Sequence, residues 1–404
     1  MPEPKVRFKK DDGSSYPEWG TSSFSKTFNA LNNNTYSRDM LNYDGGDAKN
    51  IHYGDILVKF GDICDIQKNN IPYVNEGLAI QKYGYLKDGD IILADTAEDE
   101  TVGKAIEIYN IKNDIVISGL HTMAWRPVES FASKYLGHYL NSPAFHNQLK
   151  PYMQGVKVTS IGRANIAKVG VSFPESLEEQ QKIADFLSSV DEVISASEEE
   201  ITNLEKQKKA VMKKIFSQEV RFKREDGSDF PEWEEKRLDE VVEFLDGMRK
   251  PIETGDRIPG PYPYYGASGI TDYVEDYIFD EDLILLSEDG ANILDRNYRV
   301  CFMARGKYWV NNHAHVLRAN TDCINDYICE YLESLDYSRM NSGSAQPKLN
   351  QQTCRKIPVR KPCPEEQRRI AEFLSSFDEA IAAAKKELEL WKELKKGLLQ
   401  QMFV

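Results

Sequence analysis

Residues 178–194 read EEQQKIADFLSSVDEVI and residues 365–381 read EEQRRIAEFLSSFDEAI, with twelve of seventeen positions identical at a constant offset of 187. Each copy continues with apolar residues at alternating steps of four and three. The first line is Ile183, Leu187, Val190, Ile194, Ile201 and Leu204; the second is Ile370, Leu374, Phe377, Ile381, Leu388 and Trp391. That is a 3.5-residue period, the seam of a coiled coil; the 3.6-residue stripe of a lone amphipathic helix would drift off it over this length. Even the breaks coincide, with a small residue at Ser197 and Ala384 and a lysine at Lys208 and Lys395. Pro174 and Pro364, with Glu–Glu in the first turn, mark helix starts. Two helices of about 38 residues, roughly 57 Å each, are predicted to bury their seams against one another.

The repeat extends further. VRFKKDDGSSYPEW at 6–19 returns as VRFKREDGSDFPEW at 220–233, with ten of fourteen positions identical. The second helix ends where a third copy would begin, which places the carboxyl terminus beside the amino terminus. Antiparallel helices related by a pseudo-twofold axis satisfy that closure. The intervening segments share a β-branched run (GDIILAD at 89–95, EDLILLS at 281–287) and a histidine-bearing run in which His121 aligns with His313. They close alike through Gly155/Gly343, Ile161/Leu349 and Val171/Val359. Short β runs punctuated by Gly, Asn and Pro read as irregular, mostly β domains with some helix. The expected fold is α+β: two mostly-β domains, 1–173 and 220–361, separated by two long antiparallel coiled-coil helices, 174–219 and 362–404. The shrinking offset gives the first domain the longer loops.

Several function classes are disfavoured. A formal charge of −14 argues against a protein that binds nucleic acid indiscriminately through an all-over basic surface. Six cysteines without C-x-x-C spacing argue against a zinc cluster or disulfide framework and for a reducing, cytoplasmic compartment. The amino terminus lacks a signal-peptide apolar run, and no stretch is long enough to span a membrane. Nucleotide-binding glycine loops, a nucleophile elbow and the Pro-Pro-Tyr/Phe-type amino-methyltransferase motif are all missing, so no catalytic residue is assigned. HAH at 313–315 offers two histidines on one strand face but no third ligand, so a structural role is expected and no metal.

Charge distribution is more telling. No acid lies between Glu129 and Glu175, or between Asp336 and Glu365, while both windows carry lysine and arginine. Two acid-free basic windows at equivalent places suggest two anion-facing surfaces, whose cations would displace counterions from phosphates while polar neighbours reach base edges. The candidates there are Gln154, Lys157, Thr159, Ser160 and Arg163, and Gln346, Lys348 and Asn350. Polar-aromatic loops add Tyr36, Ser37 and Arg38 in the first domain, and Arg249, Lys250, Tyr265, Ser268 and Asn292 in the second. A surface that merely solvates, or that meets an acidic partner, is the plainer alternative.

The doubled order of a PEW opening, a variable domain and E-E-Q-x-x-I-A-x-F-L-S-S-x-D-E-x-I leading into a long helix resembles the DNA-specificity subunit of type I restriction–modification systems. YPYYGASG and VNNHAHVL also look like segments of that family's target-recognition domains. The resemblance implies a non-catalytic subunit. Each of its two domains would read one half of a bipartite asymmetric DNA site, and the helices would set the gap. It further implies two methyltransferase subunits docked on the helices for adenine-N6 methylation, with two motor-nuclease subunits where the system also restricts. S-adenosylmethionine, ATP and magnesium would then sit on those partners, with none bound by this chain. A coiled-coil scaffold or decoy without base reading is the alternative.

Overall fold

The central strand of each domain is buried at every position and apolar but for Ser287, because both of its faces are covered. A computed structural model describes residues 3–81, 83–155, 157–343 and 346–404. The chain divides into two units, Met1–Glu198 with Lys386–Val404, and Glu199–Lys385.

The first unit is built on β1 (Phe28–Ala30), β2 (Ile63–Asp65), β3 (Ile91–Ala94), β4 (Ala105–Tyr109) and β5 (Thr122–Pro127), in the order β1-β5-β3-β4-β2. All neighbours are antiparallel except β2 and β4. Helix α1 (Tyr135–Asn141) packs on β4, and the long helix α2 (Leu177–Phe216) follows. The second unit repeats the frame with β6 (Val242–Phe244), β7 (Leu283–Ser287), β8 (Cys301–Ala304) and β9 (Ala314–Ala319) in the order β6-β9-β7-β8. Helix α3 (Asn325–Glu333) takes the place of α1, and the long helix α4 (Pro364–Met402) ends the chain. Strand β2 has no counterpart in that order. Every residue of β3 and of β7 is buried. A second four-stranded sheet, differently built in each unit, flanks the first.

Helix α2 begins in the first unit and ends in the second; α4 does the reverse. In the first unit Asp191 pairs with Lys395 at 2.6 Å and Glu198 with Lys392 at 3.0 Å. In the second, Glu205 pairs with Lys385 and Lys208 with Asp378, both at 2.7 Å. In each unit, rising numbers on α2 meet falling numbers on α4, so the paired segments run antiparallel. Of the seam positions, Ile183, Leu187, Val190, Ile201, Ile370, Leu374 and Leu388 are buried, and Ile194, Leu204, Phe377, Ile381 and Trp391 are half-buried. The seam is not purely helix on helix. Ile183 and Leu187 belong to the first unit's core cluster, and Ile370 and Leu374 to the second's.

The doubled opening and the doubled E-E-Q motif are two halves of one latch. The second glutamate of each motif, Glu179 or Glu366, is fully buried. Arg7 donates to Glu179 at 2.8 Å, and Trp19 Nε1 donates to it at 3.4 Å. Arg221 and Trp233 do the same to Glu366 at 3.0 and 2.9 Å. The glutamines that follow also work alike. Gln180 accepts from the Ala132 amide at 2.9 Å, and Gln367 from the Ile324 amide at 3.0 Å. Charged groups this deep persist only when paired, so each opening is pinned to the first turn of its helix. The closure is visible as well. The Val6 amide donates to the Gln401 carbonyl at 3.1 Å, as Val220 does to Lys214 at 3.2 Å, and Gln401 and Lys214 are 187 residues apart.

Candidate nucleic-acid interface

In both units four segments converge where β3 or β7 ends. In the first they are 31–38, 95–97, 118–122, and 154–155 with 157–163. The Asp95 amide donates to the His121 carbonyl at 3.1 Å, and the Ile161 amide to the Asp95 carbonyl at 2.9 Å. In the second, 245–250, 287–292, 311–315, and 341–343 with 346–350, meet through Glu288 donating to His313 at 2.8 Å and Leu349 to Glu288 at 2.7 Å. The same two backbone bonds therefore stitch each basic window onto the end of the central strand.

The aligned glycines make those windows possible. A Cβ on Gly155 would lie 1.9 Å from the Val158 carbonyl oxygen, and one on Gly343 would lie 1.7 Å from that of Gln346. Only glycine lets the chain fold back on itself this closely.

Two of the arginines read from sequence as ligand-facing are struts between segments. Arg163 donates to the Leu31 carbonyl at 2.9 Å and to Asn33 at 3.1 Å, with its guanidinium over Trp125, and burial lowers its pKa. Arg249 donates to the Ala314 carbonyl and to Glu288, both at 2.8 Å. Asn350 caps the short helix Gln351–Arg355 by accepting from the Thr353 amide at 2.9 Å. Asn292 holds Tyr298 through paired bonds of 2.8 and 3.1 Å. Tyr36 donates to the Ala79 carbonyl at 2.6 Å, Ser37 to Asp39 at 2.5 Å, and Tyr265 packs on Tyr308 and Phe302. Thr159 is half-buried in the pairing with Ala97. Exposed side chains remain at Arg38, Gln154, Lys157, Ser160, Lys250, Ser268, Gln346 and Lys348. Arg38 leans on Asp55 at 2.9 Å, and that bond raises its pKa.

Both ends carry a pair that the sequence reading did not assign. His121 Nδ1 lies 3.3 Å from Asp95, and His313 Nδ1 lies 2.9 Å from Asp289. The two imidazoles are about half exposed, at 48% and 51%. The signal was present, since Asp95 closes its β-branched run, Asp289 follows the other by two residues, and the histidines align. The expectation that His313 and His315 share a strand face does not hold. His313 precedes β9 in the turn, whereas His315 is buried, with Nδ1 facing Asp246 at 2.7 Å and Nε2 facing the Leu349 carbonyl at 2.8 Å. Both neighbours are acceptors, so this ring carries two protons. Burial opposes that charge, but Asp246 and Cys354 outweigh it and raise the pKa to about 10.

The profile described as "Type I restriction modification DNA specificity domain" matches the chain twice, over residues 50–206 and 231–390. The chain belongs to that family. A Methanocaldococcus jannaschii chain described as the type I restriction enzyme MjaX specificity subunit is 25% identical over 367 residues, covering 79% of this chain and 82% of that one. A Haemophilus influenzae chain described as a type I restriction enzyme specificity subunit is 35% identical over 146 residues, but the match spans only 36% of this chain and 37% of that one. The crystal structure of a type I S subunit from M. genitalium superposes with a TM-score of 0.57 at 17% identity, covering 100% of this chain and 99% of that one. That likeness concerns the fold: two mostly-β domains and two long antiparallel helices. As a member of the specificity family, the chain presents the convergent loop ends as its candidate DNA-facing surfaces. No described helix is long and apolar enough to cross a membrane.

Proposed function

We propose that this chain is the DNA-reading subunit of a type I restriction–modification complex, each unit reading one half of a bipartite, asymmetric site. The observation that carries this reading is the repetition of one loop assembly at the end of one strand frame, furnished with different side chains in each unit. Lys157 and Lys348 supply charge that displaces counterions in either half. The side chains free to differ, Gln154 and Ser160 against Ser268 and Gln346, supply the base contacts. The helices set the gap and dock two methyltransferase subunits, which bring S-adenosylmethionine and the chemistry of adenine-N6 methylation. Two motor-nuclease subunits add ATP-driven restriction. Half-sites on one face of B-DNA lie roughly 34 Å apart per helical turn, which helices of roughly 57 Å are long enough to bridge.

The test is to exchange residues 234–361 for the corresponding domain of another family member and to map N6-methyladenine across the host genome. One half of the methylated motif is expected to change and the other to stay. A change in both halves, or in neither, contradicts the reading.

A further inference from the structure

Each unit holds a ring of four charged or ionisable groups where a long helix meets its domain. In the first unit Lys395 Nζ lies 2.5 Å from Asp62 and 2.6 Å from Asp191. His138 closes the ring, 3.1 Å from Asp62 and 3.9 Å from Asp191. In the second, Lys208 Nζ lies 2.9 Å from Glu330 and 2.7 Å from Asp378. Arg299 closes that ring, bonded to Glu330 and 3.4 Å from Asp378. Asp62, His138 and Asp191 present donor atoms close enough together for a metal ion, but the Lys395 ammonium already lies against both carboxylates.

The helix contributions are equivalent: Lys395 with Lys208, and Asp191 with Asp378, both at the repeat offset of 187. The domain contributions are inverted. His138 on α1 occupies the place of Glu330 on α3, within the matching runs YLGHYL and YICEYL. The complementary partner then comes from non-equivalent places, Asp62 just before β2 and Arg299 just before β8. Descent from a common half explains the helix residues. It does not explain a base replaced by an acid together with an acid replaced by a base drawn from another element. What the two rings share is alternation of acid and base around the same helix pair.

From this we propose that each ring sets the pose of its recognition domain on the helix pair, with Lys395 and Lys208 as positioning residues and the domain's acid and base free to trade places. The proposal rests on the reading that the helices fix the gap of a bipartite site. Breaking a ring lets its domain rotate on the helices, so the distance between readers loosens while the bases each reads stay the same.

The experiment assembles the full chain with its methyltransferase subunits and presents duplexes that keep both half-sites but vary the gap by a base pair either way. The wild type is expected to hold to one gap. K395M is expected to lose that preference by on the order of tenfold or more, because ångström-scale placement errors are costly, with both half-sites unchanged. Uniform loss of methylation at every gap, with the preference intact, overturns the proposal. D62R combined with H138E rebuilds the second unit's order and is expected to restore the strict gap, while each single change does not; a double variant no better than the singles overturns it as well. Should K395M fail to assemble, thermal unfolding of the chain by itself decides. The double exchange, or R299D with E330H in the second unit, must recover most of the Tm lost by the single changes, and failure to do so overturns the proposal. A wild type without any gap preference sinks the proposed function instead, and the unfolding cycle still decides whether acid and base can trade places.

Discussion

The two units share strands, glycines and latches, yet one buried histidine of the first, His52, and the buried His315 of the second are in opposite states. In the first unit His52 accepts from the Gly54 amide at 3.2 Å, and burial, with Arg38 beside it, lowers its pKa to about 4. In the second, His315 is held as a cation between Asp246 and the Leu349 carbonyl. A common frame therefore does not impose a common electrostatic interior. Backbone geometry is inherited through glycine and strand register, whereas charge is free to vary as long as each buried group finds a complement.

The largest expected difference between the units concerns the seam lysines. Lys395→Met leaves Asp62 and Asp191 facing one another with only His138 between them, and is expected to cost roughly 3–5 kcal/mol, as when one partner of a buried pair is removed. Lys208→Met is expected to cost clearly less, because Asp378 is 42% exposed and Arg299 still compensates Glu330. Denaturant unfolding of the two variants checks the order; equal costs would break the contrast between an enclosed ring and an open one.

Next comes pH. His315 is raised from its ordinary 6.5 to about 10, so the stability it supplies is complete below about 6.5 and lost as pH rises toward 10. His52 is lowered to about 4, so its contribution is complete above about 6.5 and lost as pH falls toward 4. Glu107, buried and raised to about 7, runs against His52: its contribution is complete below about 4.5 and lost as pH rises to 7. Tm profiles of H315Q and H52Q separate these groups. H315Q should flatten the alkaline limb and H52Q the acid limb. A shared limb for both would show that the interiors are coupled.

The smallest effect sharpens the likeness of the two surfaces rather than their difference. Lys157→Ala and Lys348→Ala should each weaken DNA binding across all sequences and reduce the salt slope by about one. Unequal slopes would mean that only one window faces phosphates.

Legibility in the sequence followed the range of the interaction responsible. Helix starts, the seam and the β-branched runs depend on local pattern, and they were readable without coordinates. Gly155 and Gly343 were visible as aligned glycines, but the close turn that demands them was not. Arg163 and Asn350, in acid-free windows, and Arg249, in a polar-aromatic loop, looked ligand-facing because a cation or amide there advertises nothing about internal partners. Their partners are backbone carbonyls and a carboxylate that accept from the arginines, and the Thr353 amide that donates to Asn350 in a helix cap.

From the sequence alone came the doubled architecture, the antiparallel closure and the family resemblance, because a 3.5-residue period and a repeated motif are written in consecutive residues. Tertiary structure alone decided that the opening and E-E-Q motifs form a latch, that each basic window is stitched to a strand end, and that seam lysines sit in inverted rings. Each of those depends on which groups, far apart along the chain, come together in one small volume, and neither spacing nor composition encodes that.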